Sequence, residues 1–192
     1  YEKILSAFAN EEADVLIGTQ MIVKGHDFPK VTLVGVLAAD LSLAANDYRA
    51  GERTFQLLTQ AVGRAGRGEL PGEAVIQTYQ PDHYAVTFAA DQDYEGFYEE
   101  EILYRELGGY PPAAHMLAVQ VFAKDEGAGE QLAKQLAGQV EKGGHPVLGP
   151  APATIGRIND IYRFVFYVKD TEYGRLVEIK DSLETLVSTW QT

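Results

Sequence analysis

The stretch Val31-Thr32-Leu33-Val34-Gly35-Val36-Leu37 is a short, near-continuous apolar run. Two similar runs flank it, Ala13-Asp14-Val15-Leu16-Ile17-Gly18 upstream and Glu73-Ala74-Val75-Ile76-Gln77-Thr78-Tyr79 downstream. Runs of this length and character are those of strands buried on both faces of a parallel sheet. Helical spacings lie between them. Ile4, Leu5 and Phe8 close an amphipathic helix, and residues from about 50 to 65 set Phe55, Leu57, Leu58 and Val62 at helical intervals before Gly66 and Gly68 stop the pattern. Pro71-Gly72 is a turn signal ahead of the third run. Strands alternating with helices predict an α/β lobe over residues 1–80, a mainly parallel sheet covered by helices.

Beyond that lobe, residues 82–107 read as two helices. Tyr94, Phe97, Tyr98, Ile102 and Leu107 are expected on one apolar face, with Glu99, Glu100 and Glu101 toward water. Gly108-Gly109-Tyr110-Pro111-Pro112 breaks the second helix, which makes residues 81–112 a helical linker. Residues 113–192 predict a small α+β domain. Met116 to Phe122 is a strand and Glu126 to Lys142 an Ala/Leu-rich helix. Strands over 153–158 and 161–169 turn at Asn159-Asp160, and Glu172 to Val187 closes as a helix.

With 192 residues the chain has room for one large domain or two small ones. Hydrophobic residues at 46% and charged residues at 23% exclude a disordered chain. No apolar run approaches a membrane span, and the start Tyr1-Glu2-Lys3 predicts no signal peptide. The absence of an initiating Met predicts an excised piece of a longer protein. Cysteine is absent, which excludes a disulfide framework and a thiolate zinc site here and fits a reducing, cytoplasmic setting. The net charge of −12 argues against nucleic acid on average, but it is unevenly spread. Residues 1–68 carry 7 basic and 8 acidic side chains, residues 69–110 carry 1 and 10, and residues 111–192 carry 8 and 10.

Two constellations can carry chemistry. The first is Gly18-Thr19-Gln20-Met21-Ile22-Val23-Lys24-Gly25-His26-Asp27-Phe28-Pro29, placed directly after an apolar run. At the carboxyl end of a parallel strand such a loop faces the usual ligand crevice, and its N–H groups with the Thr19 hydroxyl suit phosphate. An ordinary connection turning at Gly25 is the alternative. The second is Gln60-Ala61-Val62-Gly63-Arg64-Ala65-Gly66-Arg67-Gly68. Gln60 and Arg64 are four apart, on one helix face, and Arg67 falls where glycines end the helix. Guanidinium forks among small residues suit oxyanions. Arginines that merely complement a helix dipole would leave the glycines and Gln60 unexplained. His26 reads as a structural hydrogen-bonder, and His83, His115 and His145 show no ligand spacing. No metal site is expected. Arg49 and Arg53 either contact DNA or pair with Asp47 and Glu52. Tyr162, Phe164, Phe166 and Tyr167 have strand spacing, which makes most of them core rather than base-stacking surface.

Together the two segments resemble motifs V and VI of superfamily 2 helicases. The finer pattern Ile-Gly-Thr-Gln-Met-x-x-Lys-Gly-His-x-Phe-Pro, followed by Val-Thr-Leu-Val, is similar to the primosomal protein N′ (PriA) family of replication-restart helicases. The likeness continues through Tyr48-Arg49, Glu52-Arg53, Gln56-Leu57, Gly72-Glu73, Pro111-Pro112 and Val147-Leu148-Gly149-Pro150, and weakens after residue 112. It implies the later part of the second RecA-like helicase lobe joined to the C-terminal domain of an ATP-dependent enzyme. That enzyme moves 3′ to 5′ on single-stranded DNA, acts at forked DNA, and works with single-strand DNA-binding protein and primosome proteins to restart stalled forks. Neither Gly-x4-Gly-Lys-Ser/Thr nor Asp-Glu-x-His occurs here, so ATP and Mg2+ would be held mainly by the other lobe, and the family's zinc sites lie in cysteine-rich sequence elsewhere. By motif, Arg64 and Arg67, with Gly63, would contact the ATP phosphates, and Gln60 would orient them or the attacking water. Thr19, Gln20, Lys24, Gly25 and Asp27 would touch the tracking DNA strand. The rival readings are another superfamily 2 translocase and a non-catalytic module that docks DNA or protein; a phosphate loop upstream would separate an enzyme from a module.

Overall fold

The computed structural model describes residues 2–19, 28–45, 47–66 and 71–190. The chain divides into two compact units, Tyr1–Glu101 and Ile102–Thr192.

The first unit begins with helix α1 (Glu2–Ala9), then strand β1 (Leu33–Val36), the single turn α2 (Asp40–Leu43), helix α3 (Ala50–Val62), strand β2 (Glu73–Ile76) and helix α4 (Tyr84–Asp91). Helix α5 (Tyr94–Gly108) follows, and the division between the units falls inside it. The two strands pair in parallel, Leu33 opposite Glu73 and Val36 opposite Ile76. The ladder extends at both ends, through Glu73 N to Thr32 O (2.8 Å) and Gln77 N to Val36 O (2.8 Å). Parallel strands need a crossover, and α3 supplies it. Its apolar stripe, Phe55 and Leu58, packs with Ala39, Ala85, Val86, Ala89 and Phe97 against Val36 and Ile76. Phe55 and Phe97 stack at 4.0 Å between ring centroids, which ties α5 to α3. The carboxylate of Asp40 closes the exit of β2 by accepting from Thr78 Oγ1 (2.7 Å) and from the Tyr79 amide. The Thr78 hydroxyl and that amide hold the carboxyl below its ordinary pKa.

Two expectations fail in this unit. Residues 13–18 form no strand: Val15 is 72% and Ile17 88% exposed. Among the described residues β1 and β2 pair only with each other, so this apolar run has no ladder to join. On α5, Phe97 is buried as expected, but Tyr94, Tyr98 and Leu107 are exposed and Glu101 is only 8% exposed. The buried face follows Phe97 and Glu101, one turn apart, because the Tyr84 hydroxyl donates to Glu101 Oε2 at 2.6 Å and gives the carboxylate a partner inside.

The second unit continues from the end of α5 with strand β3 (His115–Ala123), helix α6 (Glu126–Lys142), strands β4 (Val147–Ile158) and β5 (Ile161–Asp170), and helix α7 (Tyr173–Trp190). The sheet is antiparallel in the order β3-β5-β4. Alternate residues of β5, Phe164, Phe166 and Val168, join Val121 of β3 against Ala133, Leu136, Ala137 and Val140 of α6 and Leu176, Ile179 and Leu183 of α7. Phe164 and Phe166 are therefore core, and Tyr162 lies at its edge under the Arg157 guanidinium. Tyr167 alternates to the other face. Asp125 caps α6 by accepting from Ala128 N at 2.8 Å. The hairpin turns at Asn159 and Asp160, both left-handed, as a two-residue turn of the type that matches strand twist requires.

Two tests follow from these contacts. Trp190, the sole tryptophan, lies in α7 and reports on the second unit. Asp160→Val places a β-branched residue at φ 60 and is expected to lower stability by about 1–2 kcal/mol in urea denaturation, whereas Asp160→Gly should hold it or raise it by up to ~0.5 kcal/mol. In the first unit, His83 Nδ1 accepts from Ala85 N at 3.2 Å and caps α4. Burial pushes the His83 pKa down and the nearby Glu101 carboxylate only partly restores it. A depressed folded pKa means that the cap is fully present above the ordinary value of about 6.5 and is lost as pH falls below it. Protection factors of the α4 amides, which correct for the intrinsic slowing of exchange in acid, should fall on acidification from pH 7.5 to 5.5, and His83→Asn, which caps without titrating, should flatten that dependence.

Candidate functional site

Helix α3 ends at Val62, with Gly63 as its C-cap, and Arg64 N and Ala65 N turn back to Ala61 O (3.0 Å) and Val62 O (3.1 Å). Gln60 is exposed in the last turn, and Arg64 lies half-buried just past the helix, not on the shared helix face that its spacing suggested. Gly66 adopts φ 68, and its amide donates to Val31 O at 3.2 Å. A Cβ on Gly72 would stand 2.0 Å from Gly66 N and 2.4 Å from the Ala65 carbonyl carbon. Only glycine fits there, because the obstacle is backbone and cannot swing aside. The arginine turn is thus clamped between the residues that lead into β1 and β2, at the amino-terminal edge of the parallel pair.

The first constellation reaches the same edge. Its last residues, Phe28 and Pro29, turn into Val31 through Val31 N to Phe28 O (3.2 Å), and the Phe28 ring meets Phe8 of α1 edge-on at 5.1 Å. Lys30 pairs with Glu11. The structure therefore joins the exit of the first segment to the glycine of the second by one backbone hydrogen bond. Thr19 is exposed at the other end of that segment. Gln20, Lys24, Gly25, His26 and Asp27 lie outside the described residues, as do Arg67 and Gly68.

Arg49 and Arg53 are held by one carboxylate. Asp47 accepts from Arg49 Nε (3.2 Å) and Nη2 (3.2 Å) and faces Arg53 Nη1 at 3.0 Å. Burial raises the Asp47 pKa, but the hydrogen bonds and charge of Arg49, then the charge of Arg53, outweigh it and hold the carboxyl low. Ion pairing with Asp47 is what the structure shows for both arginines, while Glu52 accepts from Gln56 Nε2 and adds its charge near Arg49. The amino-terminal half of α3 is also fixed: a Cβ on Gly51 would meet Tyr84 Oη at 2.5 Å and Glu101 Oε2 at 3.0 Å. Sequence reasoning missed this pair, since Tyr84 and Glu101 come together only once α4 and α5 pack on α3.

Among the described residues no group of three or more His, Asp or Glu side chains gathers as a metal site, so the magnesium and zinc implied by the helicase resemblance find no ligand set there. Nor is any helix of the described residues long and apolar enough to cross a membrane.

Residues 1–69 match the family described as helicase conserved C-terminal domain, and residues 106–191 match the primosomal protein N C-terminal domain. Replication restart protein PriA of Bacillus subtilis is 44% identical over 184 residues, 93% of this chain and 23% of that protein. Its namesake in Synechocystis is 41% identical over 180 residues, 92% and 22% of the two chains. In Chlamydia pneumoniae the figures are 41% over 173 residues, 88% and 23%. The chain spans under a quarter of the length of these relatives. With a helicase C-terminal lobe at one end and the primosomal C-terminal domain at the other, the chain belongs to the PriA family of replication restart proteins.

Proposed function

We propose that the intact protein containing this chain is an ATP-dependent DNA helicase that moves 3′ to 5′ on single-stranded DNA, restarts stalled forks and begins primosome assembly. The observation that carries this reading is the hydrogen bond from Gly66 to Val31, which unites the two helicase segments at one sheet edge. Arg64, from the turn beyond α3, and Arg67 reach the ATP phosphates, with Gly63 giving room, and Gln60 orients them or the attacking water. A planar guanidinium there spreads the charge that builds up on the transferring phosphoryl group. Thr19, Gln20, Lys24, Gly25 and Asp27 touch the phosphates of the tracking strand, which positions DNA without reading its sequence. Magnesium, bound with ATP mainly on the other lobe, would neutralise phosphate charge. Single-stranded and forked DNA, single-strand DNA-binding protein and primosome proteins are the partners that the reading implies.

Two measurements test it. The chain alone should not hydrolyse ATP, because the phosphate loop and magnesium carboxylates supply most nucleotide affinity. DNA-stimulated turnover that copurifies with the chain and vanishes in Arg67→Ala would contradict this. In the intact protein, Arg67→Ala should lower kcat by ~10³ or more while KM for ATP changes little. Arg67→Lys should rescue poorly, since an ammonium lacks the bidentate fork. Near-normal turnover with lysine would mean that a point charge suffices.

A further inference from the structure

The geometry points to Gln92 as a positioning residue for the arginine turn, an inference that rests on the phosphate-contacting reading of Arg64 and Arg67. Gln92 caps the carboxyl end of α4 at φ 54 and ψ 29, in the left-handed region. Glycine is the ordinary occupant of that position, because a Cβ there is strained. A glutamine keeps its side chain at a conformational cost, and this one has a destination. Its Nε2 lies 3.5 Å from the point where a Cβ on Gly63 would stand, and Thr59 O and Gln60 O lie 3.2 Å and 4.0 Å from the same point.

Those two carbonyls belong to the last turn of α3; the Gly63 amide donates to Thr59 O at 2.9 Å, which leaves that oxygen one further lone pair. An amide nitrogen is a donor, so Gln92 brings matching polarity to the carbonyl end of α3. A Cβ on Gly63 would stand in ordinary contact with that amide, so the two lie side by side. The base from which Gln92 reaches is itself well fixed. Gln92 N donates to Ala89 O, Asp93 N to Phe88 O at 2.9 Å, and Asp93 Oδ1 accepts from Gly96 N at 2.9 Å. A Cβ on Gly96 would come within 2.4 Å of the Phe88 ring, so α5 is seated closely on α4. The arginine turn is therefore bonded at Gly66 to Val31 O, packed there against Gly72, and flanked at Gly63 by the Gln92 amide.

Turnover, substrate affinity and thermal stability of the intact protein separate positioning from simple support. Gln92→Gly keeps, and even favours, the left-handed backbone while deleting the amide. Gln92→Glu keeps the size but sets an acceptor against acceptors. Both are expected to lower DNA-stimulated kcat ~10- to 100-fold, the cost of misplacing a transition-state group by about 1 Å, with KM for ATP within about twofold of the parent. The melting temperature of Gln92→Gly should stay near the parental value. Parental turnover in Gln92→Gly would overturn the positioning role, and so would a loss of turnover that merely follows a lowered melting temperature. Arg64→Ala, run alongside, keeps the two ideas apart. Full turnover in that variant would remove the phosphate reading itself, whereas an inactive Arg64→Ala beside a fully active Gln92→Gly would sink only the role of Gln92.

Discussion

The contact on which the first unit depends is the hydrogen bond from Gly66 N to Val31 O, made possible by a left-handed glycine and by the bare Cα of Gly72 lying against it. It joins stretches of chain that are 35 residues apart at the point where both are about to become strands. The register of β1 on β2 follows directly, since Thr32 O takes the next amide, that of Glu73. A shift of one residue would carry Val36 and Ile76 away from α3 and turn their neighbours inward. The same contact draws the two helicase segments together, so the requirement of the fold and that of the proposed ATP chemistry converge on two glycines.

A second constraint is polar and lies at the amino-terminal end of α3. Glu101 is buried, and an acceptor left unmet at such depth costs about 1–3 kcal/mol. The Tyr84 hydroxyl meets it, and Gly51 makes room for both. Apolar packing alone, Phe55 on Phe97 and Leu58 near Ala85, would hold α5 against α3 but tolerate sliding along the groove. A hydrogen bond of 2.6 Å between two side chains does not, and so it selects one placement of the helix.

The parts of this structure that could be read in advance are those governed by neighbours in the chain. Helix α6 runs from Glu126 to Lys142 as its spacing indicates, because Asp125 starts it and Gly143 ends it. The hairpin at Asn159-Asp160 is equally local. The orientation of α5 was not legible, because its most apolar stripe, Tyr94, Tyr98 and Leu107, stays exposed while a glutamate goes inside. Only the position of Tyr84, seventeen residues away, explains that. The run at 13–18 misled for a related reason: apolar character marks a segment fit for a sheet, but pairing needs a strand beside it. At the candidate site, the glycines and arginines were visible as a motif, and the pairing of Arg49 and Arg53 with Asp47 was one of two open readings. Gln92 carried no signal, since its left-handed backbone and its reach to Gly63 exist only in three dimensions.

Helix α5 has a consequence for how such a chain is cut and recombined. The break at Gly108–Pro112 looks like a seam, yet both compact units claim residues of the helix before it. Phe97 and Glu101 serve the first, while Arg105 donates to Pro111 O at 2.7 Å and the Gly108 carbonyl accepts from Lys169 within the second. The match to the primosomal C-terminal domain likewise begins at residue 106, inside the helix. A cut between Glu101 and Ile102 leaves each half these side-chain contacts but severs the backbone ladder of α5. A graft of the terminal unit onto another motor would have to import at least the last two turns of α5, and a lobe trimmed before them would end on a frayed helix beside a buried carboxylate. The two units meet inside one continuous helix, so any cut at their boundary exposes backbone groups that the helix had paired.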